Sequence, residues 1–470
     1  MQRLLVPIAL AAVVVLAASS SARGRSAEAA QVDPARLARM VTAAGMRAHL
    51  QAFQAIAQRN GGTRLAGTRG YDQSVAYVAR RLREAGYVPR MRTFSFLVSR
   101  ESRPPQLARV APGSETYRRG RDFLTLQYSG SGTLTAPVVA VAFRSELSGC
   151  DRSAFPVFRD RPILLLRRGG CFLFEKAQNA AAAGAGAVLI ANAGGPGRTA
   201  PISGTLVRPG IRIPVLSVSY DVGAGIAQSA GPGAIRMRVS VAVQTRRARA
   251  ANLVAELPGR TSPRVVLLGA HLDSVANGPG INDNGSGSAL VLELARQARR
   301  LRARPALGLR FAWWGAEELG LHGSTAYVRT LPRAELARLA AVLNFDMVGS
   351  PNFGRFVYDG AGQPGGSQRI EDAFRAYFAE RRLPVVELSL GGASDHAPFA
   401  AAGVPVGGLF TGADSAKNAS EQRLFGGRAE RAYDACYHQA CDTLANVNLR
   451  VAEQMADAAA VVALRLASSR

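Results

Sequence analysis

The chain is expected to fold as an α/β/α sandwich around a central mixed, mainly parallel sheet, with a smaller β-rich domain inserted into it. Three observations point there. From Asn252 onward, the short apolar runs Val265–Gly269, Leu309–Trp314 and Val342–Phe345 alternate with helical patterns at Ser288–Leu301, Arg333–Leu339, Ile370–Arg382 and Arg450–Ala467. Continuous apolar runs suit strands buried on both faces, and strand–helix alternation is the signature of a parallel sheet. Between about Ser102 and Thr245 the pattern changes to short strands broken by Gly and Pro, at Val138–Phe143, Ile163–Arg167, Val188–Ala191 and Pro214–Val218. Finally, 470 residues that are 48% hydrophobic and 19% charged allow a sizeable core and two or three domains.

Arg3 precedes the apolar run Leu4–Ala18 and the small residues Ser19–Ala22. Roughly 15 apolar residues are too few for a bilayer span and suit a signal peptide, with cleavage after Ala22 or near Ala29 or Ala30. Residues 1–30 are therefore assigned to a signal, and a secreted protein without stable membrane insertion is expected. Arg36–Asn60 reads as a helix stopped by Gly61-Gly62, and Tyr71–Glu84 as a second helix closed near Gly86. These lie in residues 31–101, the first part of the main domain. Residues 102–245 form the insertion, with one Ala-rich helix at Phe174–Ala183, and residues 246–470 complete the main domain.

The four cysteines, Cys150, Cys171, Cys436 and Cys441, fit export. Sequence proximity favours Cys150–Cys171 and Cys436–Cys441. A zinc site built from all four thiolates is the competing idea, but neither pair has the tight C-x2-C spacing. The formal charge of +25 is carried almost wholly by Arg, with Lys176 and Lys417 the only lysines. The basic residues are scattered and lack the aromatic interleaving of a strand-binding surface, so no nucleic-acid partner is expected.

The residues that carry chemistry stand where the strands end. His271 and Asp273 follow Val265–Gly269, and Asp283 sits in the loop Ile281-Asn-Asp-Asn-Gly-Ser286. Glu317 and Glu318 follow Leu309–Trp314, Asp346 follows Val342–Phe345, and His438 comes late, in Tyr433-Asp-Ala-Cys-Tyr-His438. Ligands of open α/β sheets lie beyond the carboxyl ends of the strands, so these loops can converge. Any one acid after a strand is ordinarily a turn residue or cap, as Asp283 would be for the helix behind it. His438 alone reads as a hydrogen-bonded core histidine. The argument is co-occurrence, in a chain with only five histidines. Two imidazoles with more carboxylates than one tetrahedral ion needs suggest two metal ions sharing a bridging carboxylate. Glu317 beside Glu318 allows one to bind metal and its neighbour to accept a proton. No G-x-S-x-G elbow, H-E-x-x-H helix or P-loop is present. Gly184-Ala-Gly186 lacks the third glycine and the preceding strand of a dinucleotide site.

At these residues the chain resembles the secreted bacterial co-catalytic zinc aminopeptidases of metallopeptidase clan MH. The matching stretches are Gly269-Ala-His-Leu-Asp-Ser274, Gly280–Gly287, Trp314–Gly320, Asn344–Val348, Ser394–Phe399 and Cys436–Cys441, with His49–Arg64 and Gly70–Tyr87 upstream. The resemblance implies two Zn2+ ions, with His271 and Asp346 on one, Glu318 and His438 on the other, and Asp283 bridging. It implies Glu317 as general base, Asp273 as the acid that orients His271, and Tyr437 as a hydroxyl donor to the tetrahedral intermediate. Cys436–Cys441 would pin the loop carrying Tyr437 and His438. Residues 102–245 resemble a protease-associated (PA) domain through Gly149-Cys150, Ile163–Phe172 and Glu175–Asn192, which implies a Cys150–Cys171 disulfide.

The implied substrates are peptides with free N-termini, cleaved by a monomer. One departure stands out: some relatives carry Arg just before the Ser-Asp-His motif, where this chain has Ala393. His396 of that motif is expected to hydrogen-bond rather than to bind metal. The alternatives are a carboxypeptidase of the same clan, a glutaminyl cyclase, and a non-catalytic PA-domain binding protein. The complete five-ligand set argues against the last two.

Overall fold

The computed structural model describes residues 33–229, 235–389 and 391–468, so the expected signal peptide lies outside the described residues. The helix expected over Arg36–Asn60 is two helices, Pro34–Ala38 and Ala43–Arg59. Thr42 breaks it with extended backbone (φ −106°, ψ 154°), and its hydroxyl accepts from the Gly45 amide at 3.1 Å. This side-chain cap satisfies one of the amides a helix start leaves free, and the apolar pattern on either side conceals it. Leu339, expected at a helix end, begins the strand Leu339–Phe345 instead, and the helix stops at Ala337.

Four parallel strands form the centre of the main sheet, in the order Val406–Phe410, Leu339–Phe345, Val265–His271 and Gly308–Trp314. Antiparallel strands flank them, Phe356–Tyr358 on one side and Arg236–Leu257 on the other, so the sheet is mixed. Successive side chains of a strand face opposite ways. Val266, Leu268 and Ala270 accordingly enter one core, beneath the helices Gly287–Arg300 and Leu449–Ser468. Val265 and Leu267 enter the opposite core with Tyr327 and Phe399 from the helices His322–Thr330 and Ala397–Ala401. Apolar burial on both faces explains why these strands read as unbroken hydrophobic runs.

The strongest feature missed by pattern reading is a pair of 22-residue strands, Arg90–Ala111 and Arg236–Leu257. They pair antiparallel from Arg90↔Val254 to Ala111↔Arg236, and the expected domain boundaries at 101/102 and 245/246 fall inside them. A register shift at Glu101/Arg103 marks the place. Beyond it the sheet continues through Gly132–Ala140, Ile163–Arg167, Ala187–Ala191 and Val215–Val218, which enclose separate cores. The two parts thus share strands. Their mixed polar and apolar sequence, exposed along much of one face, hid them from a search for short apolar runs.

A buried polar cluster centred on Glu293 lies in the main domain, remote from the strand ends. His49 Nε2 lies 3.1 Å from Glu293, and Nδ1 lies 2.8 Å from the Tyr77 hydroxyl. Gln297 and Arg296 also donate to Glu293, each at 2.6 Å. Burial alone would raise the Glu293 pKa, but the hydrogen bonds from His49 and Gln297 outweigh it and hold the carboxyl at about 2. A carboxylate whose pKa is depressed on folding stabilises the fold above its unfolded value and loses that contribution as pH falls through its folded value. Glu293→Gln is therefore expected to lower the melting temperature at pH 7. The gap to the parent should shrink between about pH 4.5 and 2. Melting curves across that range check it, and a gap independent of pH would refute the assignment.

Candidate active site

The parallel strands deliver the expected residues to one place. His271 ends the strand Val265–His271, Asp346 follows Leu339–Phe345, and Glu317 and Glu318 follow Gly308–Trp314. His271 Nε2 faces Asp283 Oδ1 and Asp346 Oδ1, both at 3.3 Å, with Glu317 Oε2 at 3.9 Å. His438 Nε2 faces Asp283 Oδ2 at 3.1 Å and Glu318 Oε2 at 3.0 Å. Asp283 thus turns one oxygen to each imidazole. Candidate ligand atoms of His271, Asp283 and Glu318, and of His271, Glu317 and Asp346, lie within 4.8 Å of one another.

The backbone around these side chains is constrained. Ala316, Met347 and His438 adopt left-handed conformations (φ 56°, 51° and 58°), next to or at the site residues. Non-glycine residues hold that conformation only where their surroundings impose it. For His438 those surroundings are identifiable. The Cys436–Cys441 disulfide closes its loop, Tyr437 stacks on its ring with centroids 3.8 Å apart, and the Cys436 amide donates to Asp434 at 2.8 Å. The Cys150–Cys171 disulfide is also formed.

For Asp283, the amides of Asn282 and Asp283 donate to Asp442 at 2.8 and 3.0 Å, while the Asn282 side chain donates to Asp434 at 2.7 Å. Two acids that bracket the disulfide loop therefore tie the Asp283 loop to the His438 loop. Arg64, fully buried, donates to the carbonyls of Leu272, Pro279 and Gly280 and joins the His271 loop to the Asp283 loop. Ser394 donates to Asp346 Oδ2 at 2.6 Å and is itself held by Asn344. None of these supporting roles was read from the sequence, although Asp434 and Ser394 lie within the quoted motifs and Asp442 directly follows one.

The nearest partner of His271 Nδ1 is the Asp273 backbone carbonyl at 3.3 Å, and the Asp273 carboxylate lies at 3.8 Å. That carboxylate accepts from the Glu317 amide at 3.2 Å, because the turn after the Trp314 strand brings the amide to it. His396 does not hydrogen-bond through Nδ1, which is buried without a partner. Its ring packs edge-on against Tyr358 with centroids 5.1 Å apart, and burial lowers its pKa to about 4.

The donor set fits metal ions on three grounds. Both Nδ1 atoms face carbonyl oxygens, Asp273 for His271 and Ser203 for His438, so Nδ1 carries the proton and Nε2 offers its lone pair. That lone pair points at carboxylate oxygens near 3 Å, which repels unless a cation lies between them. Glu318 Oε1 and Asp346 Oδ1 are buried without a hydrogen-bond donor. The carboxylates demand positive charge at each Nε2, supplied either by a metal ion on the neutral imidazole or by a second proton. Burial opposes charging of both imidazoles, yet the surrounding carboxylates raise both well above the ordinary histidine value. Burial, reinforced by Asp395 and Asp346, likewise raises Glu317 well above the carboxylate range.

The cluster opens into a cavity of about 960 Å³. Glu317, Glu318, Tyr437 and His438 line one side, and Arg168, Phe172 and Ile202 line the other. Ala393 is exposed on the same cavity. Arg168 and Arg198 both pair with Asp414, at 2.6 and 3.2 Å, across the gap between the β-rich section and the main domain. No helix among the described residues is long and apolar enough to cross a membrane.

Comparison with known proteins places this geometry. Residues 252–463 match the model of peptidase family M28, and residues 134–226 match that of the PA domain. An aminopeptidase of Pseudomonas aeruginosa is 41% identical over 442 residues, covering 91% of this chain and 82% of the relative. An aminopeptidase from Aneurinibacillus sp. strain AM-1 superposes with a TM-score of 0.71 at 25% identity, covering 93% of this chain and 96% of the other. A zinc aminopeptidase from Bacillus subtilis superposes with a TM-score of 0.67 at 25% identity, covering 90% and 94%. The chain belongs to the aminopeptidases of peptidase family M28 and carries a PA domain.

Proposed function

We propose that this enzyme removes single residues from the free N-termini of peptides, using two zinc ions held at the strand ends and Glu317 as general base. The observation that carries the reading is Asp283, whose two oxygens face two different imidazoles, each with a further carboxylate beside it. In this reading His271 and Asp346 hold one ion, His438 and Glu318 the other, and Asp283 both. Zinc bound there would polarise the scissile carbonyl and acidify the attacking water.

Glu317 takes the proton of that water as its oxygen bonds to the carbonyl carbon. It then delivers the proton to the amide nitrogen as the C–N bond breaks, releasing one amino acid and the shortened peptide. The Tyr437 hydroxyl, at the cavity wall, donates to the oxyanion. Asp273 fixes Glu317 by accepting from its amide. Two formed disulfides support an extracellular or periplasmic site of action.

Asp283, Glu317, Glu318 and Asp346 match the charge of two divalent ions, and the buried Asp273 and Asp395 beside them leave negative charge that an ammonium next to Glu317 and Asp346 balances. An N-acetylated peptide brings no such charge. Free aminoacyl reporters should be hydrolysed at least about 100-fold faster than their N-acetylated forms, the effect of losing roughly 3 kcal/mol of buried ion pairing. Chelator treatment should abolish both rates, and zinc should restore them. Equal rates on blocked and free substrates would exclude an aminopeptidase mode.

A further inference from the structure

The two imidazoles of the cluster are oriented by different parts of the chain. His271 Nδ1 meets a carbonyl two residues along its own loop, that of Asp273. His438 Nδ1 donates to the Ser203 carbonyl at 2.9 Å, across a separation of 235 residues. Ser203 lies within the matched PA segment, 134–226. One imidazole is thus oriented from within the main domain, and the other from outside it.

The segment carrying Ser203 is anchored mainly to the PA sheet. Ala200 O accepts from Asn192 Nδ2 at 2.7 Å, and Ile202 O accepts from the buried Ser217 hydroxyl at 2.8 Å. Gly204 O accepts from the Gln127 amide at 3.0 Å, and the Leu206 amide donates back to Gln127 O at 3.0 Å. The main domain adds one side-chain contact, Asn277 Nδ2 to Ser203 Oγ at 3.3 Å. Open space adjoins the segment on two sides. Ser203 and Gly204 line both the large cavity and a smaller one of about 370 Å³. The Ser203 carbonyl is thus held chiefly by these PA anchors, while at the end of the segment Val207 packs against Gly320 of the main domain.

An acceptor at Nδ1 fixes which imidazole nitrogen carries the proton and where the other points, and loss of such a partner typically costs about 10- to 100-fold in metal affinity. His438 needs this support, because its left-handed backbone (φ 58°) has no glycine to relax it. We propose that the PA-domain segment Pro201–Val207 is a positioning element for the His438–Glu318 half of the site, so that this domain governs how tightly one of two metal ions is held. The proposal rests on the two-ion reading above.

The test uses the full-length holoenzyme and reads metal occupancy rather than turnover. Ser217→Ala removes a hydroxyl that anchors Ile202 and touches neither ligands nor cavity. Gly204→Val crowds the segment from within, since a Cβ there would lie 3.1 Å from Ile202 Cγ2 and 3.4 Å from Leu173 Cδ1. Zinc content would be followed in graded zinc–chelator buffers, with the visible spectrum of the cobalt-loaded protein as a second readout.

In both variants one ion should be released at about 10- to 100-fold higher free zinc, while the other keeps its parental affinity. Cobalt bands of only one ion should change, and Ser217→Thr, which keeps the hydroxyl, should restore the parental release curve. Unchanged release of both ions in both variants overturns the proposal, as does equal weakening of both. A parent protein that binds fewer than two ions instead overturns the two-ion reading, so the two failures are distinguishable.

Discussion

Replacing Glu317 by alanine is expected to reduce kcat by about 10²- to 10⁴-fold, the usual worth of a positioned proton-transfer group, while zinc content stays at the parental level. The side chain lies on the cavity wall with Oε2 3.9 Å from His271 Nε2, farther than the atoms assigned to hold metal. Its amide is fixed by Asp273, and the left-handed turn at Ala316 precedes it. Removing the carboxylate deletes a proton carrier and leaves all five proposed ligands in place. Glu317→Gln, which keeps the shape, should fall as far, because an amide cannot take up the proton. Measurement of kcat alongside zinc per chain decides. Parental turnover in either variant would remove Glu317 from the mechanism, and loss of zinc would recast it as a ligand.

Asp283→Ala is expected to act differently, losing metal and turnover together. Both imidazoles face this one carboxylate, so its removal strips an oxygen from each proposed ion position. Metal is worth several kcal/mol of transition-state stabilisation, so kcat/KM should fall by roughly 10³-fold or more. At least one ion should be lost on dialysis. The fold should survive, because the loop is held by its backbone amides on Asp442 and by the Asn282 side chain on Asp434, which the substitution leaves intact. A variant retaining both ions at parental affinity would show that Asp283 bridges nothing. The two substitutions together separate the group that moves a proton from the group that gathers the cations.

The legible part of this protein was the part governed by local regularity. Strands buried on both faces leave continuous apolar runs, so the four-strand centre announced three of its members, and acids placed directly after those runs marked the site. Strands with one solvent face leave mixed runs. Arg90–Ala111 and Arg236–Leu257 were assigned no element from the sequence, although they are the longest elements among the described residues and join the two parts of the molecule. The break at Thr42 was hidden in the same way, because a cap costs one residue and leaves the apolar period intact.

By itself, the sequence determined the residue types at the strand ends and their order along the chain, and through them the family to which the protein belongs. Proximity in space was settled only by the tertiary structure. Asp434 and Asp442 take meaning from the amides of a loop some 150 residues earlier, and Arg64 from three carbonyls more than 200 residues away. The Ser203 carbonyl that meets His438 leaves no trace in the sequence, because every residue carries a carbonyl. Side-chain chemistry is written in the residue types, whereas a backbone group acquires a role only when folding aims it at a partner.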